Sequence, residues 1–262
     1  MDMISIVVPF WNSEKWLGRC CESLHKQEGD FLFLLIDDHS TDNGKEIAYE
    51  YCMKDQRFRL LTQVHSKGVS GARNTGIDYA VQSSDWVTFL DADDELLEGA
   101  YEIFSKAIEA DPKANMHQFN HMRYYTAIDK LTLKYTNKGG TYTFSDLPKM
   151  WFCVWNTLYR ADFIKDIRFD ENLQYGEDGL FNIECFEKDN YLHHAELKQV
   201  AVKHRFDNKE SLSRVKTPED IIKHIKSYTD VWERLTDKDM KITLAVTIAD
   251  LWEHKLVDTI NE

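Results

Sequence analysis

The sequence predicts an α/β protein, a mostly parallel sheet flanked by helices with a C-terminal helical extension. Three observations lead there. Apolar runs of strand length alternate with helical patterns four times before residue 110, and such alternation builds a parallel sheet covered by helices on both faces. The strand runs are apolar without gaps, as in strands buried on both sides. Polar and acidic residues gather where strands one, two and four end, the edge at which open α/β sheets bind ligands.

Each element has a local reason. Ser5 to Pro9 forms the first strand, and Pro9 stops it. Asn12 and Ser13 then cap a helix through Trp16, Leu17, Cys20, Cys21 and Leu24. Phe31 to Ile36 is the second strand and ends in Asp37 and Asp38. Ser40, Thr41 and Asp42 open a helix through Ile47, Ala48 and Tyr51. Phe58 to Leu61 is the third strand, followed by a helix from Ser70 to Val81. Val87 to Leu90 is the fourth, with a helix from Leu96 to Glu109 behind it. Past Pro112 the pattern changes. Met116–Thr126, Leu131–Tyr135 and Tyr191–Arg205 read as extended, with a turn at Asn137-Lys138-Gly139-Gly140. Ser145–Val154 and Glu177–Phe186 read as helices, the second after a loop at Gln174-Tyr175-Gly176. Thr217-Pro218-Glu219-Asp220 is a helix opening, with Thr as N-cap, Pro at the first position and acids in the first turn. Ile221, Ile225, Tyr228, Trp232 and Leu235 recur behind it, and a last helix spans Met240 to Ile260. These two helices are expected to cover the core or a second copy of the chain.

Composition excludes several classes. The 262 residues fit one large domain or one with an appendage, and 43% hydrophobic residues suffice for a core. A formal net charge of −13 argues against a general nucleic-acid binder, which needs a basic face. No apolar run approaches the ~20 residues of a membrane span. The first residues, MDMISIVVPFWN, enter a strand without a basic region, so no signal peptide is expected. Five cysteines lack metal-ligand spacing and are expected to be reduced thiols of a cytoplasmic protein.

The stretch with most chemistry is VTFLDADDELL, Val87 to Leu97. Residues two apart in a strand share a side, so Asp91 and Asp93 are expected to present carboxylates in one direction. A divalent cation holding phosphate oxygens suits such a cluster, since Mg²⁺ commonly takes one or two carboxylates plus substrate phosphates. The simpler alternative is a helix start, with Asp91 or Asp93 as N-cap and Glu95 favoured by the helix dipole. Asp37 and Asp38 can accept from a nucleobase N–H or a ribose hydroxyl, or can cap a helix. In KGVSGARNTGI, Lys67 to Ile77, Gly68 permits close backbone approach and the helix start can face a phosphate. A structural Arg at a helix start explains Arg73 equally well there. Glu177 and Asp178 fit either a favourable first turn or a general base for a hydroxyl nucleophile. His204-Arg205 through Arg214 reads as a loop carrying cations and hydroxyls, suited to a leaving phosphate or simply to solvent. His117 and His121 read as structural, set among apolar residues.

Taken together, SIVVPFWN, LLIDDHSTD, KGVSGARNTGI, FLDADDEL, WNTLYRADF and YGEDGLF resemble, in order and spacing across residues 3–214, the family 2 glycosyltransferases of the GT-A (Rossmann-like) fold. The resemblance implies an inverting, metal-dependent transfer of a sugar from a UDP-sugar to a hydroxyl of a glycan, polysaccharide or lipid-linked acceptor. It implies a GT-A domain over 1–214, with a nucleotide-binding half at 1–110, an acceptor half at 111–214, and a helical extension at 215–262. Pro9, Phe10 and Asp37 would line the uracil, with Asp38 nearby, and Asn12, Lys67, Gly68 and Ala92 belong to the same nucleotide-sugar set. Arg73 would sit by the nucleotide or its phosphates. Asp91 and Asp93 match the D-x-D motif, whose second acid reaches Mn²⁺ or Mg²⁺ and whose first lies by ribose or sugar. Asp178 matches the catalytic base, with Glu177 beside it touching acceptor or sugar. Arg205 and Ser211 fall where a flexible loop closes over the pyrophosphate, and His204 is a further metal ligand. Asp178 is expected to need no raised pKa, an ordinary aspartate being ionised at neutral pH. Two departures stand out: Thr157 replaces a Lys frequent in WNTLYR-like segments, and nothing after Leu235 follows the family pattern. A lipid-linked acceptor would place the chain at the inner face of the membrane, and a homo-oligomer would use the C-terminal helices. The rival readings are a nucleotidyltransferase, for which FWNSEKW lacks the glycines and basic residues after strand one, and an inactive nucleotide-sugar-binding protein, against which Asp93, Glu177 and Asp178 argue.

Overall fold

The computed structural model describes residues 2–125, 128–134, 139–144, 146, 153–173, 176–195, 200–205, 218–236, 238–239, 241–242 and 244–245. The alternation expected of the first half is present. It runs β1 (Ile4–Phe10), α1 (Glu14–His25), β2 (Phe31–Asp37), α2 (Gly44–Lys54), β3 (Phe58–Thr62), α3 (Val69–Ala80) and β4 (Trp86–Phe89). β1 lies between β2 and β4, parallel to both, and β3 extends the sheet beyond β2.

The acids after β4 do not open a helix. They form a turn in which the Asp94 N–H donates to the Asp91 carbonyl at 2.9 Å. A two-residue strand, β5 (Glu95–Leu96), follows, and α4 (Ala100–Ala110) begins only after Gly99, whose φ is 78°. Two expectations fall here: strand alternation does not orient Asp91 and Asp93, and neither caps a helix. Long-range pairing decided it, since the Leu97 N–H donates to the Ala201 carbonyl at 2.8 Å.

Further along, the described residues form β6 (Met116–Gln118), β7 (Asn120–Tyr125), β8 (Lys130–Lys134), β9 (Gly140–Tyr142), β10 (Thr157–Arg160), α5 (Ala161–Ile164), α6 (Glu177–Lys188), β11 (Leu192–His194), β12 (Val200–Arg205) and α7 (Pro218–Arg234). Among the described residues these make an eight-stranded sheet, β3-β2-β1-β4-β10-β6-β11-β9, and a four-stranded one, β5-β12-β7-β8. The strand expected over Met116–Thr126 is therefore two strands in different sheets, divided at the buried Phe119. Tyr191–Arg205 divides in the same way into β11 and β12. Gly140 opens a strand where a turn was expected, and His204 and Arg205 end β12 rather than lying in a loop. Much of the expected helices at 145–154 and 240–260, together with Asn137, Lys138, Gln174, Tyr175, Ser211 and Thr217, lies outside the described residues.

Side chains of the large sheet alternate between two apolar layers. Val7, Leu34, Ile36, Val87 and Phe89 face one layer with Ile77 of α3 and Leu180, Phe181 and Ile183 of α6. Ile4, Ile6, Val8, Phe33 and Leu35 face the other with Leu17 of α1, Ala48 of α2 and Phe104 of α4. Val231 and Leu235 join the first layer, so α7 covers the core. At roughly 25 cal/mol per Å² of apolar surface buried, these layers supply most of the folding drive. They also hold the ends of β1, β2 and β4 on one edge.

Candidate active site

At that edge the first two helix starts are tied together. One Asp42 oxygen accepts the Gly44 N–H at 2.9 Å and the other accepts the Glu14 N–H at 2.8 Å. The Glu14 carboxylate in turn accepts from the Asn43 backbone and side chain at 3.1 and 2.9 Å. One acid thus serves the unpaired first amides of both α1 and α2. Asn12, at φ 49°, accepts from the Thr41 backbone N–H at 2.8 Å instead of capping α1. Phe10 is buried in the core beside Gly44, and Pro9 is buried in β1. The exposed aromatic at this strand end is Trp11, half of whose surface is open, with Lys67 Nζ 5.2 Å from its ring centroid. Sequence reading passed over Trp11. The only available signal was an aromatic next to a strand-ending Phe.

Asp37 and Asp38 are both buried at the end of β2. Asp37 accepts the Ser40 N–H at 2.9 Å and lies 3.9 Å from Lys45 Nζ. Asp38 accepts the Gly68 N–H at 3.0 Å through Oδ2, and its Oδ1 has no hydrogen-bond partner among the described residues. Burial raises the Asp38 pKa above its ordinary value. An unused buried acceptor is costly, and a nucleoside N–H or hydroxyl would satisfy it. Gly68 has φ 125°, a conformation that a side chain would strain. Gly76 permits close approach of α3 to β1, since a Cβ there would lie 2.3 Å from Val7 Cγ1.

This close packing drives Arg73 of α3 into the centre of the site, where its side chain is 4% exposed. Its Nη1 donates to Asp178 Oδ1 at 2.6 Å and to Glu177 Oε1 at 3.1 Å, while Nη2 donates to Asp91 Oδ1 at 3.2 Å. The guanidinium also lies 5.2 Å from the Phe169 ring centroid, and Phe169 stacks on Phe181 at 4.2 Å. Acids from the end of β4 and from the start of α6, some ninety residues apart in sequence, therefore meet on one cation. Burial lowers the Arg73 pKa, but the three carboxylates outweigh it and hold the guanidinium above its ordinary value. For Asp178, burial outweighs Arg73 and raises the carboxyl to about 7. Its side chain remains 20% exposed and open to proton exchange. The expectation of an ordinary pKa at Asp178 is thus corrected, because the site is too dry for one. A base poised near neutrality is the effective kind.

The turn 91–94 is anchored from behind. Asp94 has a fully buried side chain and accepts the Arg205 N–H at 2.7 Å and pairs with His204 Nδ1 at 2.9 Å. Burial lowers the His204 pKa, yet Asp94, together with Asp91 and Asp93, more than compensates and leaves it raised. Desolvation takes Asp94 up to about 6. Arg205 is buried, donates from Nε to the Asp93 carbonyl at 3.3 Å, and lies 4.4 Å from the Trp16 ring centroid. It belongs to strand β12, so the expectation of a flexible-loop Arg205 does not hold. Ala92 is 8% exposed. Asp94 and Trp155 carry contacts that sequence reading did not anticipate. The extra acid in DADD was a signal for Asp94. Among the described residues no three His, Cys, Asp or Glu side chains converge on a ready cation cage. Asp91 and Asp93 do offer the hard oxygen donors that Mg²⁺ or Mn²⁺ takes when a diphosphate supplies the rest. A surface hollow of about 570 Å³ lies between α1 and β5, lined by Arg19, Glu22, Gln27, Glu95 and Glu98 but by neither Asp91 nor Asp93.

A doubly covered α/β sheet with acids gathered at its strand ends has the frame in which open α/β folds present a ligand site. The chain belongs to Glycosyl transferase family 2, whose sequence profile matches residues 5–168. It is 26% identical over 198 residues to the uncharacterized glycosyltransferase EpsJ of Bacillus subtilis, covering 71% of this chain and 56% of that protein. It is 28% identical over 207 residues to the GalNAc(5)-diNAcBac-PP-undecaprenol beta-1,3-glucosyltransferase of Campylobacter jejuni, covering 74% of this chain and 63% of the relative. The chain spans 27 to 56% of the length of three curated relatives it matches, EpsJ and the glycosyltransferases GlyG and GlyA of Streptococcus pneumoniae. In fold it is similar to S. aureus TarS 1–349 in complex with UDP-GlcNAc, with TM-score 0.76, 19% identity and coverage of 95% of this chain and 72% of that one. It is also similar to the mannosyltransferase PcManGT of Pyrobaculum calidifontis in complex with GDP-Man and Mn²⁺, with TM-score 0.66, 12% identity and coverage of 97% and 70%. This is the GT-A fold that the resemblance implied. No helix among the described residues is long and apolar enough to cross a membrane.

Proposed function

We propose that the chain transfers a hexose from a UDP-sugar to a hydroxyl of a glycan, polysaccharide or lipid-linked acceptor, with inversion at the anomeric carbon. The observation that carries this reading is the junction at Arg73 of Asp91 from the turn with Asp178 from α6. Asp178 takes the proton of the acceptor hydroxyl as that oxygen bonds to the anomeric carbon. The bond from this carbon to the diphosphate oxygen breaks on the opposite face, and UDP leaves with the electron pair. A single carboxylate base is enough for one such displacement. Arg73 keeps Asp178 oriented, and Glu177 shares the same guanidinium nitrogen at 3.1 Å. Asp38 accepts from the nucleoside, and residues 1–110 hold the donor while 111–214 present the acceptor. Asp91 and Asp93 would hold Mn²⁺ or Mg²⁺, which acts when bound as a Lewis acid on the leaving diphosphate.

Support comes from the family, from a relative named as a glucosyltransferase, and from a fold shared with UDP-GlcNAc-bound and Mn²⁺-bound neighbours. A lipid-linked acceptor would bring the chain to a membrane surface. The test is UDP release from UDP-glucose, UDP-galactose, UDP-GlcNAc and UDP-GalNAc with Mn²⁺, comparing the wild type with Asp178→Asn. Release from at least one donor, lost in the variant, is expected. Equal release by both proteins removes Asp178 from the mechanism.

A further inference from the structure

Arg73 joins the two acidic ends through side-chain tips. A second connection joins them behind the site. Asp94 directs both oxygens at β12, toward the Arg205 N–H at 2.7 Å and His204 Nδ1 at 2.9 Å. The His204 ring lies flat on Trp155, with centroids 4.7 Å apart and planes within 9°. Trp155 is 4% exposed, and the His121 ring meets it edge-on at 4.8 Å. The preceding residue, Val154, directs its N–H at Asp178 Oδ2 at 3.5 Å. The path from the turn to the candidate base is thus a buried hydrogen bond, one ring stack and one backbone amide.

We propose that Asp94, His204 and Trp155 form a strut that fixes Asp178 relative to the turn 91–94, making these three residues positioning residues for the transfer. The inference rests on the proposed function. A buried carboxylate with two directed bonds has little freedom to reorient, and a parallel ring stack fixes the height of Trp155 over His204. The position of Asp178 is therefore set from two sides, by Arg73 at its Oδ1 and by Val154 at its Oδ2. His204 acts here through Trp155, not as a cation ligand. Misplacing a reacting group by about 1 Å can cost a factor of ~10² in rate.

The test uses His204→Asn, which keeps a donor for Asp94 and loses the stack, and His204→Phe, which keeps a ring for Trp155 and loses the donor. With the full chain and the donor found active, both are expected to lower kcat about 10- to 100-fold. KM for the UDP-sugar and the Mn²⁺ activation constant should stay within about twofold. A tenfold rise in the Mn²⁺ constant with both variants would make His204 a ligand and overturn the strut. So would an unchanged kcat in a protein that merely melts earlier. If the wild type turns over no donor, the proposed function fails and the strut is judged separately. Thermal unfolding of wild type, Asp178→Asn, His204→Asn and the double variant forms a cycle that needs no activity. Distant independent sites add; non-additive shifts in Tm support the strut, and additive ones overturn it.

Discussion

Arg73 Nη1 and Asp178 Oδ1 lie 2.6 Å apart, the tightest link between the nucleotide-side helix α3 and the start of α6. The same nitrogen serves Glu177, and its partner nitrogen serves Asp91. That guanidinium therefore joins the turn after β4 to the start of α6.

Asp178→Asn keeps an oxygen for Arg73 but cannot take a proton. Turnover is expected to fall by a factor of ~10² or more while UDP binding is retained. Single-turnover kinetics beside a UDP titration measure both.

The elevated Asp178 pKa has a definite sign. As the proposed base, Asp178 would work ionised, so kcat/KM should climb with pH and level off above about 7. Stability runs the other way. The folded carboxyl binds its proton up to about 7, whereas the unfolded one releases it near ~3.9. The contribution is complete below ~3.9 and is lost as pH rises through the folded pKa. The Tm of the wild type should therefore fall relative to Asp178→Asn between pH 5 and 7.5. A parallel course for the two proteins would contradict the assignment.

Removing the cation tests the same pair from the other side. Arg73→Met leaves three carboxylates facing one another without their common partner, and breaking a buried pair costs about 3–5 kcal/mol. A Tm loss of several degrees is expected. In any folded fraction the ascending, acidic limb of the rate profile should move to higher pH, since Arg73 holds the Asp178 pKa down.

Asp93→Ala removes one carboxylate that would hold a cation. Calorimetry of UDP binding with and without Mn²⁺ should show that Mn²⁺ no longer strengthens binding. An undiminished Mn²⁺ effect would place the cation elsewhere.

Gly76→Ala examines the packing that delivers Arg73. The added methyl would sit 2.3 Å from Val7 Cγ1, too close to be absorbed without moving α3 off β1. Overpacking of this kind costs about 1–3 kcal/mol. A parallel drop in activity and Tm is expected, one turn of helix from the guanidinium.

The first half of the fold was legible because its signals are local. Continuous apolar runs and helical spacing put β1 to β4 and α1 to α3 within a residue or two of their observed bounds, apart from a later start at α2. What escaped was pairing between distant segments. Nothing local to Glu95 and Leu96 announces a strand, since its cause is β12, about a hundred residues away. Asp94 shows the same limit: DADD displays an additional acid, but only the fold reveals that it serves His204 and Arg205. The Asp178 pKa was misjudged because the sequence says nothing of how dry its surroundings are.

Phe119 has one further consequence. Gln118 on one side of it pairs within the large sheet, and Asn120 on the other pairs within the small one. Successive strand residues face opposite ways, so one inserted residue here would turn β7 inside out against β12. His204 and Arg205, which lie opposite Arg123 and Tyr124, would lose their alignment with it. The spacing of 116–125 is thus expected to tolerate substitution far better than any change of length.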